Sequence, residues 1–208
     1  LHVRSRRQRQ MCIRDRDGTQ LILTFSYETP KIEILGRADA EKAINEYVAI
    51  LDETYVTGED YGDGQGTGYN NMLTMAEDNY NYWMSTGDGE VYTLELVSDR
   101  SVTVERGDTQ VLTLLYNDYN DLGGAHGSYG YTGYSLDTQT GELLTLDKLS
   151  SDPEGLRSFL TNYMVTTVEN DDALQERTAG FIPNDDYTAA LSALLRDCLL
   201  YTSPSPRD

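Results

Sequence analysis

The sequence predicts an α+β fold: an antiparallel β-sheet meander packed by a few amphipathic helices, and C-terminally truncated. Two observations lead there. Short stretches that alternate apolar and polar residues recur at 19–27, 90–97, 101–105 and 111–119, with tight turns between the later ones. Two longer stretches, 39–55 and 153–168, instead repeat apolar residues at steps of three and four. Consecutive short strands joined by short turns imply a meander, and the helical stripes supply the layer that covers it.

The elements follow in order. In residues 19–27 (TQLILTFSY), Leu21, Leu23, Phe25 and Tyr27 share a face. Pro30 interrupts, and Ile32 and Ile34 make a second short extended piece. After Gly36 a helix begins, with Asp39 as its expected N-cap. Its stripe is Ala40, Ile44, Tyr47, Val48, Leu51 and Tyr55. Glu41, Lys42, Asn45, Glu46 and Asp52 fall on the other face. Residues 57–71 form a glycine-rich loop. Asp60 and Asp63 resemble a calcium loop within 58–68, but the Asp-x-Asp-x-Asp-Gly spacing and closing Glu are absent, so a plain loop is the other reading. A short helix or extended piece follows at 72–80.

The strands then come closely. Tyr92, Leu94 and Leu96 alternate, then Val102 and Val104. Gly107-Asp108 turns the chain, and Leu112, Leu114 and Tyr116 line the return. A Gly-rich run, Gly123 to Gly127, leads into an aromatic strand at 129–136, and Thr140-Gly141 brings back a further apolar strand at 143–146. Asp152-Pro153 caps a helix whose stripe is Leu156, Phe159, Leu160, Tyr163, Met164 and Val168. Residues 170–178 read as polar and irregular. A last helix is expected from about Asp185, with Tyr187, Ala190, Leu191, Leu194 and Leu195 as its apolar face.

Both ends look foreign. Met11 to Asp15 (MCIRD) back-translates as ATG TGT ATA AGA GAC, and the closing CLLYTSPSPRD as a string beginning TGT CTC TTA TAC ACA; both resemble a transposase-type sequencing adapter. Residues 1–16 and 198–208 are therefore read as adapter-like and set outside the fold. The division expected is an N-terminal strand–helix module at 17–80 and a second, truncated domain at 81–197. Setting the ends aside leaves 9 basic and 33 acidic residues, a net charge of −24 against −19 for the whole chain. It also removes both cysteines and His2, leaving His126 as the sole histidine. Such acidity argues against nucleic acid and against an anionic membrane surface. No apolar run approaches the length of a spanning helix, so no membrane contact by this fragment is expected. A cysteine-free, acidic, Tyr-, Thr- and Gly-rich chain is compatible with the outside of a bacterial cell.

His126 as a catalytic base would need a nucleophile and an orienting carboxylate; Ser128 and Asp121 are near in sequence, but no Gly-x-Ser-x-Gly elbow exists. As a metal ligand it has no second His or Cys for company, so no metal, cofactor or catalytic residue is assigned. The structural reading is that Gly123, Gly124 and Gly127 bend the backbone and the His126 ring fastens the bend. Asp137 and Gly141 form the following turn. The abundant carboxylates single out no pair for glycoside hydrolysis. Tyr129, Tyr131 and Tyr134 suit partner binding, as flat apolar faces with polar tips, and are equally ordinary strand formers.

The run Gly123, Gly124, Ala125, His126, the aromatic strand, Leu136-Asp137, Thr140-Gly141, Leu144, Leu146 and Leu149 resembles the extracytoplasmic C-terminal domain of RsiV-type anti-sigma factors. LTFSYETPKIEI with the Ile44-Asn45 helix is similar to the partner N-terminal module of those proteins and of PdaC-type peptidoglycan deacetylases. The resemblance implies a non-catalytic, extracytoplasmic sensor or binding domain. It would be membrane-anchored in the full-length protein, and its partner would be lysozyme, another cell-wall-active protein or wall polymer. The alternative it implies is an accessory domain of a polysaccharide deacetylase, or a lipoprotein of unknown role. The family's strands beyond the helix near residue 197, its cytoplasmic segment, transmembrane helix and deacetylase domain have no counterpart in these residues.

Overall fold

A computed structural model describes residues 2–14, 21–58, 68–86, 95–123, 126–178 and 189 of the chain. Gly124, Ala125, most of the 58–68 loop with its calcium reading, residues 91–94, the expected last helix apart from helical Ala189, and the adapter-like tail lie outside the described residues. The chain divides into two compact units, Leu1–Leu143 and Leu144–Asp208. The α+β class holds, with helices and a five-stranded sheet.

The first unit holds β1 (His2–Arg14), β2 (Leu21–Glu33), α1 (Ala38–Thr57), α2 (Tyr69–Thr86), β3 (Leu96–Gly107), β4 (Val111–Asp121) and β5 (Ser128–Asp137). The strands lie side by side in the order β1-β2-β3-β4-β5. β3, β4 and β5 form the expected antiparallel meander. β2 and β3, in contrast, are parallel, paired from Leu23↔Leu96 to Tyr27↔Arg100. The sheet is therefore mixed, because α1 and α2 carry the chain back across it before β3 begins. β1 comes from the adapter-like segment and pairs antiparallel with β2. The sheet joins strands from both sides of residue 80.

Pro30 does not split β2. Beyond Tyr27 the strand has left β3 and pairs only with β1, where a missing N–H is tolerated. α1 buries Ala40, Ile44, Val48, Leu51 and Tyr55, as the stripe predicts. Its N-cap is Arg37 rather than Asp39; Asp39 lies in the first turn, where a negative charge suits the helix dipole. Glu41 accepts the Ile34 N–H at 2.8 Å, which fastens the helix start to the end of β2. Asn45, on the polar face of α1, meets β2. Its carboxamide accepts from Ile32 N at 3.1 Å and donates to Ile32 O at 2.9 Å, so it completes the backbone bonds of a strand beside the helix. α2 settles the open reading at 72–80 as helix.

Two apolar clusters fill this unit. One joins Ile32, Ile34 and the first turns of α1 to Leu112, Leu114, Tyr116 and Leu136. The other joins Leu23, Phe25 and Leu96 to Tyr55 and to Met72 and Ala76 of α2. Phe25 stacks on Tyr55 at 5.2 Å. Arg100 lies between them: its guanidinium carbon is 4.0 Å from the Tyr55 ring centre and 5.4 Å from that of Tyr116. Arg100 donates Nε to Asp118 Oδ1 at 2.6 Å and Nη2 to Oδ2 at 2.7 Å, and Nη1 reaches Leu51 O at 3.3 Å. Beside it, Ser98 donates to Asn120 Oδ1 at 2.8 Å, which leaves the Tyr55 hydroxyl as the donor in its 2.7 Å bond to Ser98. Burial raises the pKa of that Tyr55 hydroxyl.

The second unit contains α3 (Leu146–Leu149), α4 (Pro153–Glu169) and α5 (Asp172–Thr178). The expected strand at 143–146 reduces to a single bridge, Leu136↔Leu143, because α3 begins at Leu146. Asp152 caps α4 as expected, accepting from Gly155 N at 2.9 Å with Pro153 in the first turn. The α4 stripe is displaced, however. Arg157, Thr161 and Val165 are the buried line, while Phe159 and Tyr163 are 64% and 63% exposed and stack on each other at 6.5 Å. Residues 172–178 are helical rather than irregular, because Asp171 accepts from the Ala173 and Leu174 N–H groups and starts the turn.

Arg100→Met alone should cost roughly 3–5 kcal/mol, because it strands the Asp118 carboxylate in the interior. Arg100→Met combined with Asp118→Leu should recover most of that loss. Urea unfolding at neutral pH reads both variants.

Candidate functional site

The Gly-rich run closes the β4–β5 hairpin. β4 ends at Asp121, whose Oδ1 accepts the Gly123 N–H at 3.0 Å, and Gly123 takes φ 80°, the left-handed conformation that glycine allows. His126 is exposed, and its Nδ1 lies 3.1 Å from Gly127 O. Ser128 donates to Asn120 O at 3.3 Å. Asp121, His126 and Ser128, the three groups weighed as a catalytic set, thus each engage nearby backbone within the hairpin. Among the described residues no three His, Cys, Asp or Glu side chains gather as a metal site.

Gly127 has a tighter reason than backbone freedom. A Cβ there would run into the Tyr119 ring, which lies over this position and meets Tyr129 at 4.8 Å between ring centres. The spacing alone pointed to strand aromatics; the packing of one over a glycine needs the cross-strand register Tyr119↔Tyr129.

The three tyrosines separate. Tyr129 and Tyr131 lie two apart on one face of β5 and are 66% and 67% exposed. Tyr134 lies an odd step further on, so it points to the opposite face. There it packs edge-on against Tyr47 and Tyr116, each at 5.8 Å. At the far end of β5, Asp137 Oδ1 accepts from Gln139 N at 2.6 Å and Thr140 N at 3.2 Å, the turn expected of it. Gly141 has φ +83°, and a Cβ on it would stand 2.6 Å from Ala43 Cβ and 2.9 Å from Ala40 O of α1. The Asp137–Gly141 turn therefore sits directly on the first turns of α1, and only glycine fits.

Three substitutions separate these roles by thermal or urea unfolding. His126→Gln, on an exposed ring, should change stability by less than about 0.5 kcal/mol. Gly127→Ala should cost about 1 kcal/mol, and that cost should vanish in a Tyr119→Ala background. Gly141→Ala should cost roughly 2 kcal/mol or more, since it combines a left-handed residue with a backbone clash.

No family model matches the chain, and no curated protein matches it. Solved structures do. A member of the DUF3298 family from Bacteroides fragilis NCTC 9343 superimposes with a TM-score of 0.52 at 17% identity, over 85% of this chain and 73% of that one. A DUF3298 family protein from Pseudomonas aeruginosa PAO1 gives 0.49 at 12% identity, over 86% and 73%. At such identity the first likeness establishes a shared fold: this α+β chain is similar in fold to a DUF3298 protein.

Proposed function

We propose that the chain is a non-catalytic, extracytoplasmic sensor or binding domain of the RsiV-like kind, recognising lysozyme, another cell-wall-active protein or wall polymer. The observation that carries this reading is the pair Tyr129 and Tyr131, two-thirds exposed on one face of β5. Large aromatic side chains held out on a rigid strand offer contact area at little entropic cost, and such residues dominate binding interfaces. The Gly123–Leu149 resemblance and the DUF3298-like fold support it together, since the DUF3298 domain is the one found in RsiV-like anti-sigma factors. Charge supports it too. An excess of 19 negative charges steers a basic protein such as lysozyme toward the domain and repels acidic ones.

Calorimetric titration of the chain with lysozyme, and separately with muropeptides, tests the proposal. Binding to one of them is expected; no binding to either overturns it. Tyr129→Ala and Tyr131→Ala should each weaken that binding about tenfold or more with little change in melting temperature. Tyr134→Ala should instead lower stability, because its ring packs inward. Binding to lysozyme should weaken as salt rises from roughly 0.05 to 0.3 M.

A further inference from the structure

Within the first unit, the Tyr27–Lys31 part of β2 and the facing side of α1 enclose a groove of about 490 Å³, a size ordinary for small-ligand sites. Tyr27, Val48 and Val56 give it an apolar side; Thr29, Asp52 and Glu53 give it a polar one. Asp52, on the polar face of α1, is half-buried. Its Oδ2 accepts the Thr29 hydroxyl at 2.6 Å, and its Oδ1, also buried, has no hydrogen-bond partner among the described residues. Burial is the largest influence on this carboxyl and raises its pKa; the Thr29 bond and the Arg100 charge oppose it. The Arg100 fork itself is hydrogen-bonded to Asp118. Lys31, at the groove's edge, has its ammonium 3.7 Å from Glu33. The groove thus joins an apolar channel to two carboxylates, one of them incompletely hydrogen-bonded.

That combination matches a methylene stem with a cationic head. We infer that the groove is a subsite for a lysine or arginine side chain of the domain's basic protein partner, with the stem against Tyr27 and Val56 and the charge at Asp52 and Glu53. The identity of the partner rests on the function proposed above. The groove's preference for an alkyl cation does not, and it can be measured separately.

The probe is n-pentylamine, titrated into the full chain while the Val48 and Val56 methyl groups are followed by NMR. Saturable shifts in the millimolar range are expected, with n-pentanol binding at least about fivefold more weakly. Asp52→Asn should reduce amine affinity about fivefold, and so should lowering the pH through the raised Asp52 pKa, since protonation removes the attracting charge. Ala49 is exposed on α1 and lines the groove, so Ala49→Trp fills it without replacing a buried residue and serves if Asp52→Asn does not fold. Equal binding of amine and alcohol overturns the subsite, as do shifts scattered over surface carboxylates or amine binding indifferent to both substitutions. Lysozyme binding that survives Ala49→Trp unchanged overturns the link to the partner. Amine binding with no binding of either lysozyme or muropeptides leaves the groove standing and sinks the proposed function instead.

Discussion

The buried Arg100–Asp118 pair is the constraint on which the first unit depends. A guanidinium presents its donors in a fixed plane, and an interior charge left unpaired costs several kcal/mol. Two donors go to Asp118 on β4 and a third to the Leu51 carbonyl of α1, while Tyr55 and Tyr116 lie against its surface. β3, β4 and α1 must therefore meet at one point in one register. The parallel pairing of β2 with β3 also ends there, at Tyr27↔Arg100. Past that pair β2 follows β1 alone, and the groove beside α1 begins at Tyr27. The same arginine that ties the two apolar clusters together thus stands where the sheet opens.

What was legible in the sequence follows from which forces are local. The α1 stripe and the β4 alternation read correctly because each is set by one element burying one face. The Asp152-Pro153 start and the Asp137–Gly141 turn read correctly because capping and turn bonds span only a few residues. The partners of Asn45 and Asp52 are not legible in the sequence for the opposite reason. A period of 3.6 sorts residues into apolar and polar faces, but not a polar face into its solvated part and the part that meets a neighbouring strand. Asn45 meets Ile32 and Asp52 meets Thr29, and both partners lie on β2, which the helix pattern does not contain. The parallel β2–β3 pairing escaped similarly: turn signals identify hairpin neighbours, whereas a crossover through two helices leaves no mark at either strand.

The Gly-rich hairpin shows how far local chemistry reaches. Glycines near 123–127 did signal a bend, and Gly123 takes the left-handed conformation this needs. The reason for Gly127 lies across the strand in the Tyr119 ring, and the reason for Gly141 lies in α1. Each is a close approach between segments remote in sequence, so composition could mark the glycine but not its neighbour. Period two likewise separates Tyr129 and Tyr131 from Tyr134: the odd step from 131 to 134 sends the last ring inward to Tyr47.

The charge distribution bears on the proposed recognition. The chain carries 16 lysines and arginines against 35 carboxylates. Arg100 is spent in the interior on Asp118; Lys31 stands by Glu33, Lys42 by Glu46 and Arg106 by Asp108. Those surface pairs add little stability, but each sets a cation beside an acid and so cancels its outward field. The remaining carboxylates make the exterior strongly negative. Excess charge of one sign does not hold a fold together; it works slightly against compactness and acts chiefly on encounter. A partner drawn in by that field would be basic, and the two features it could engage are of different kinds. The β5 tyrosines offer area without charge, so they would govern how long a complex lasts. The groove at Asp52 offers a half-buried carboxylate beside an apolar channel, so it would select which cationic side chain is seated.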